Sequence, residues 1–121
     1  MFPFNTDGID PSGQNILIQN ITIENYDDAV AVKPGHLNDE EGCTENVTVE
    51  NANIVHSVGM SIGSVPPNAK INCIRNVTFR NVKFSYPFKA IYVKTNSGKE
   101  GFGIIDNIVY QNISIHSPPR L

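Results

Sequence analysis

Asn46-Val47-Thr48-Val49-Glu50-Asn51-Ala52-Asn53-Ile54 has three echoes in this chain: Asn15-Ile16-Leu17-Ile18-Gln19-Asn20-Ile21-Thr22-Ile23, Asn76-Val77-Thr78-Phe79-Arg80-Asn81-Val82-Lys83-Phe84 and Asn107-Ile108-Val109-Tyr110-Gln111-Asn112-Ile113-Ser114-Ile115. The leading asparagines are 31, 30 and 31 residues apart. A fixed period in this range marks a solenoid, in which each copy buries its apolar face against its neighbours. Within each copy the apolar residues alternate, the period of a strand. Ile16 and Ile18 share one face, and Leu17 and Gln19 the other. After Asn20 the phase shifts, and Ile21 and Ile23 resume the alternation. The inward positions of later copies read as Val47, Val49 and Ile54, then Val77, Phe79, Val82 and Phe84, then Ile108, Tyr110, Ile113 and Ile115. Asparagine at the phase change (Asn20, Asn51, Asn81, Asn112) suits a sharp bend, because it tolerates left-handed backbone and its amide can bond to the copy above. The expected fold is all-β, a single-stranded parallel β-helix of about four to five coils.

A second strand in each coil is expected at Ala29-Val30-Ala31-Val32, Met60-Ser61-Ile62 and Ala90-Ile91-Tyr92-Val93, with Gly8-Ile9-Asp10 as a shortened first copy. In this alignment Gly8, Ala29, Gly59 and Ala90 stack as small residues. Ile9, Val30, Met60 and Ile91 form an inward column, while Asp10, Ala31, Ser61 and Tyr92 point outward. The Gly-, Pro- and Asn-rich segments 33–45, 63–75 and 94–106 then leave the same corner of successive coils and can wall a groove. Met1 to Phe4 and Ser117 to Leu121 read as cut edges of a longer solenoid, so residues 1–121 are expected to form part of one domain.

With 40% hydrophobic and 17% charged residues, the chain can supply a core. The net charge of −3 speaks against nucleic acid or an anionic membrane surface as partner. No apolar run is long enough for a transmembrane helix, and the amino terminus lacks the pattern of a secretory signal. Asn20-Ile21-Thr22, Asn46-Val47-Thr48, Asn76-Val77-Thr78 and Asn112-Ile113-Ser114 fit glycosylation acceptors, and equally fit a repeat that spells a bend and a strand this way. Cys43 and Cys73 each precede a leading asparagine by three residues, which makes them vertical neighbours. Strands about 4.8 Å apart permit a disulfide, with two half-buried thiols as the alternative.

The same stacking brings acids together. If Gly8 lies under Ala29, Asp7 lies under Asp28, and Asp27 is one residue away. Like charges about 5 Å apart in a partly buried site raise at least one pKa, leaving a protonated carboxyl as general acid and its neighbours to activate water. An Asp-Asp pair alone is more often a turn; the third carboxylate is what singles this one out. Lys94, on the strand of Tyr92, can neutralise an anionic ligand or simply end a strand in solvent. His56 can reach the groove or remain a surface residue. His36, near Asp39-Glu40-Glu41, reads as a solvated loop, and His116 as a terminal residue. No metal-ligand spacing or phosphate loop occurs, so no metal and no cofactor is expected.

These motifs together resemble the polygalacturonase family of glycoside hydrolases, family 28. Asn5-Thr6-Asp7-Gly8 is similar to its Asn-Thr-Asp motif, and Tyr26-Asp27-Asp28 before Ala29-Val30-Ala31-Val32 to its Asp-Asp motif. Val58-Gly59-Met60-Ser61-Ile62-Gly63-Ser64 resembles its Gly-His-Gly-Leu-Ser-Ile-Gly-Ser segment, and Ala90-Ile91-Tyr92-Val93-Lys94 its Gly-Ile-Arg-Ile-Lys. The resemblance implies a right-handed β-helix, an extracellular enzyme that is monomeric at full length, and inverting hydrolysis of α-1,4-galacturonosyl bonds in pectin, a polysaccharide partner. It implies Asp28 as proton donor, Asp7 and Asp27 as the base pair holding water, and Lys94, with His56 and Tyr92, as substrate-binding residues. Inversion asks for acid and base about 6.5 to 9.5 Å apart. Val58 stands where the family has histidine and Tyr92 where it has arginine, and a phenol does not replace a bidentate guanidinium. Those two departures keep open a catalytically impaired carbohydrate-binding β-helix, or a hydrolase of xylose- or rhamnose-bearing pectin.

Overall fold

The computed structural model describes residues 4–117, all of whose regular elements are strands. The ends read as cut edges, Met1–Pro3 and Pro118–Leu121, lie outside the described residues. Four long strands, β1 (Gln14–Asn25), β4 (Thr44–His56), β6 (Ile71–Ser85) and β8 (Phe102–His116), pair in parallel in one sheet, to which β3 (Gly35–His36) adds a short antiparallel edge. A second parallel sheet holds β2 (Asp28–Val32), β5 (Gly59–Val65) and β7 (Ile91–Thr95). The chain winds from one sheet to the other and back, giving a parallel β-helix. It completes about three turns rather than the four to five expected, because the first and last coils hold only part of a turn; Gly8–Asp10 contributes a single bridge, Ile9 to Val30.

The repeat fixes the register. Ile16 pairs with Val47, Val47 with Val77 and Val77 with Ile108, so identical positions of successive copies lie level. Asn15, Asn46, Asn76 and Asn107 all adopt positive φ, as do Asn20, Asn51, Asn81 and Asn112. Both rows, not just the second, turn the backbone. Each row is stitched vertically: Asn46 Nδ2 donates to Asn15 Oδ1, Asn76 to Asn46 and Asn107 to Asn76, and the second row repeats the pattern. The ion pairs Arg75–Glu45 (3.0 Å) and Arg80–Glu50 (2.7 Å) join the same levels outside, and at such exposure add about 1 kcal/mol or less each. Cys43 and Cys73 are joined by a disulfide across a Cα separation of 4.8 Å.

Between the sheets lie Val30, Val47, Val49, Ile54, Met60, Ile62, Val77, Phe79, Val82 and Phe84, all sealed from solvent. Two inward assignments differ at the last coil. Ile115 and Ile91 are 56% and 45% exposed, because the strands that carry them are the outermost of their sheets. The small-residue column also differs from the expected one. Asp28 pairs with Gly59 and Val30 with Met60, so Ala29 is the extra residue of a bulge instead of Gly59's partner. The outward column is likewise less open than expected, since Ala31 and Ser61 are buried between Asp10 and Tyr92.

Coil spacing at this sheet depends on Gly59. Its φ is +105°, and a Cβ there would lie 2.2 Å from the Ala90 carbonyl oxygen of the coil above. Gly59→Ala should therefore destabilise the full-length protein by about 1–3 kcal/mol, read as a lowered denaturation midpoint. An unchanged midpoint would mean that the coils can part there freely.

Candidate active site

Where the bend after the first long strand meets the second sheet, the chain gathers its acids. Asn25 is 7% exposed, and its Nδ2 donates to the Thr6 carbonyl (2.7 Å) and the Asp28 carbonyl (2.8 Å). One amide thus ties the segment before Asp7 to the segment holding Asp27 and Asp28. The Tyr26 amide donates to Thr6 Oγ1, and the Gly8 amide to the Asp28 carbonyl, closing the two coils together. One carboxylate oxygen each from Asp7, Asp27 and Asp28 then lies within 4.8 Å of the others. The sequence brought these three together through stacking, but Asn25, the brace, was not singled out; its signal is that it directly precedes Tyr26-Asp27-Asp28.

The three carboxyls differ in surroundings. Asp7 is pushed up to about 6. Partial burial is the first cause; the like charges of Asp10, Asp27 and Asp28 and a side-chain hydrogen bond with Asp27 follow. Asp28 is 8% exposed and accepts a hydrogen bond at Oδ1 from the Tyr92 hydroxyl. Burial and the Asp28 carboxylate in turn raise the Tyr92 phenol, so Tyr92 remains a donor through the physiological range. The Ser61 Oγ is buried without a hydrogen-bond partner among the described residues. Asp27 is half-buried, and its Oδ1 accepts from the Asp28 amide.

This cluster is tighter than the 6.5 to 9.5 Å or so expected between an inverting acid and base. A proton on Asp7, whose carboxyl is pushed up to about 6, turns its contact with Asp27 from repulsion into attraction. Such a trio can also chelate a hard cation, but an acidic cluster by itself assigns none.

The other site candidates separate. Tyr92 joins the cluster directly. Lys94 is exposed, two residues along β7 and so on the same face, with no ion pair among the described residues. Lys89, which the sequence did not single out, holds its Nζ 4.9 Å from the centre of the Tyr92 ring. The His56 ring stacks on Tyr26 at 5.5 Å, and its Nδ1 lies 3.4 Å from Glu24, out of line for a hydrogen bond. Val58 lies beside Asp27 in an apolar furrow with Phe4, Tyr26 and Phe88.

Residues 3–118 match the model of glycosyl hydrolases family 28, and the chain belongs to that family. It is 38% identical to "Probable exopolygalacturonase C" of Neosartorya fischeri over 117 residues, covering 94% of this chain and 24% of that protein. It is 32% identical to "Probable rhamnogalacturonase C" of Aspergillus flavus over 114 residues (94% and 22%), and 30% identical to "Probable endo-xylogalacturonan hydrolase A" of N. fischeri over 116 (93% and 26%). The chain therefore spans about a quarter of the length of these relatives. The all-strand parallel solenoid agrees with the right-handed β-helix that the resemblance implies.

Proposed function

We propose that the protein containing this chain is a pectin-degrading glycosidase that hydrolyses galacturonosyl bonds by general acid/base catalysis at Asp7, Asp27 and Asp28. The observation that carries this reading is the meeting of three carboxylates from two coils within 4.8 Å of one another. The resemblance puts the donor at Asp28. We place it in the Asp7–Asp27 pair, because Asp28 is buried with its Oδ1 engaged by Tyr92, whereas Asp27 borders the open furrow. The proton held by Asp7 and Asp27 passes to the glycosidic oxygen as the bond to the anomeric carbon breaks. Water attacks that carbon and gives its proton to Asp28 as base. Inversion requires acid and base to part from their present distance as this water enters between them.

Lys94 binds a galacturonate carboxylate in this proposal, as an exposed cation on the Tyr92 face of the cluster. An extracellular setting, glycosylation at the Asn-X-Thr/Ser sites, a polysaccharide partner and a monomeric full-length enzyme belong to the same reading. Among the described residues no helix is long and apolar enough to cross a membrane.

A second reading is glycan binding without hydrolysis, favoured by the Tyr92 hydroxyl on Asp28. Release of reducing ends from polygalacturonate separates the two. The full-length protein should release them, and its Asp28→Asn variant should be slower by about 10²- to 10⁴-fold. Equal, negligible release from both would leave only binding.

A further inference from the structure

Two buried side chains, neither of them an acid, hold the main chain that carries the acids. Asn25 reaches toward the coil below, where the two bonds of its Nδ2 fall on the Thr6 carbonyl, which leads into Asp7, and on the Asp28 carbonyl. Ser57, fully buried in the coil above, reaches toward Asp27. Its Oγ donates to the Asp27 carbonyl (3.0 Å) and accepts from the Gly59 amide (3.0 Å). The Val58 amide donates to the same Asp27 carbonyl (2.8 Å), and the Ser57 amide to the Asn25 carbonyl (2.7 Å), which links the two residues directly. Three successive coils are thus tied through two side chains, and each acid stands at or beside a held carbonyl.

Both residues break a local rule. Asn25 Oδ1 is buried without a hydrogen-bond partner among the described residues, and Ser57 holds φ at +63°, in the left-handed region that a serine enters at a cost. For the fold alone, an apolar side chain at the first position and a glycine at the second would avoid both penalties. Departures of this kind gather where chemistry needs a fixed geometry. The geometry here is the separation of the acids, which mutual repulsion would widen wherever the main chain gave way. From these bonds we propose that Asn25 and Ser57 are positioning residues, a brace across three coils that holds the carboxyls of Asp7 and Asp27 against each other and against Asp28. Its bearing on catalysis rests on the glycosidase reading.

Asp7 reports the state of the brace. Its carboxyl is pushed up to about 6, first by burial and then by the charges of Asp10, Asp27 and Asp28, while Tyr92 faces the group from β7 through its bond to Asp28. A slack brace admits water and lets the acids part, so both causes weaken and the value falls. The test is NMR titration of the Asp7 carboxyl, together with the pH profile of kcat, in the full-length protein and its Asn25→Ala, Ser57→Ala and Val49→Ala variants. Asn25→Ala should lower the Asp7 midpoint by about one pH unit, carry the alkaline limb of kcat down with it, and lower kcat about tenfold with KM nearly unchanged. Ser57→Ala should act in the same direction and less, because the Val58 amide still holds the Asp27 carbonyl. Val49 is buried in the core, so Val49→Ala should lower the denaturation midpoint and leave the Asp7 titration in place. An Asp7 midpoint that fails to fall in either brace variant, or that falls as far in Val49→Ala, overturns the proposal. If Asn25→Ala does not fold, Ser57→Ala decides by the same criteria. If the wild type cleaves no pectic polymer while the Asp7 midpoint falls in the variants, the glycosidase reading fails and the brace stands.

Discussion

Asp27→Asn should lower kcat of the full-length protein on its pectic substrate by about 10²- to 10⁴-fold, the contribution of a positioned proton donor. Asp7→Asn should cost about as much and also change the shape of the pH profile. Asp7 is raised to about 6, so its proton is present below that pH and lost above it. Activity that consumes this proton is complete on the acid side and falls as pH rises through 6. In Asp7→Asn the residual activity should lose that alkaline limb, because the group that titrates there is gone. A wild-type profile flat between pH 5 and 7, or a variant that keeps the limb, would move the donor elsewhere. The Asp28→Asn variant provides the contrast, since it removes a base and leaves the proton of the other pair in place.

The largest loss of stability is expected from Phe79→Ala. Phe79 is fully buried between the sheets, and its ring stacks on Tyr110 of the next coil at 4.7 Å, with the planes 8° apart. Truncation removes a ring and leaves a cavity that the stitched coils cannot close, at about 3–5 kcal/mol. Tyr110 should report the change independently. Burial pushes its phenol up to about 12, and opening the cavity beside it should bring that value down. Denaturant unfolding checks the first outcome and alkaline titration of tyrosine absorbance the second; a loss below 1 kcal/mol would mean that the neighbouring coils repack.

Much of this was legible because a solenoid converts sequence distance into height. Once Asn15, Asn46, Asn76 and Asn107 are aligned, Ile16 must pair with Val47, Cys43 must stand near Cys73, and Asp7 must approach Asp28; no long-range guess is needed. Features that break the repeat were illegible. The bulge at Ala29 shifts one pairing by a single residue, a change invisible to the alternation of apolar positions. Asn25 reads as one more polar residue until the folded coils place the Thr6 and Asp28 carbonyls around its amide. The furrow escaped for a related reason. Tyr26, Val58 and Phe88 occupy bends, where no periodicity says which way a side chain leans. His56, which its proximity in sequence to Gly59 put near the groove, has a positive φ of 59° and stacks its ring on Tyr26, a wall of that furrow.

The asparagine rows also constrain how a chain of this kind can change its length. Inserting one residue between Asn46 and Asn51 would turn interior side chains out to water and offset the upper amides from those below, so small insertions inside the long strands should be lethal to folding. Growth by whole windings, or by extra residues in the corners between sheets, costs neither. Divergent members should therefore differ in rim and in number of storeys, while the masonry of each floor stays fixed.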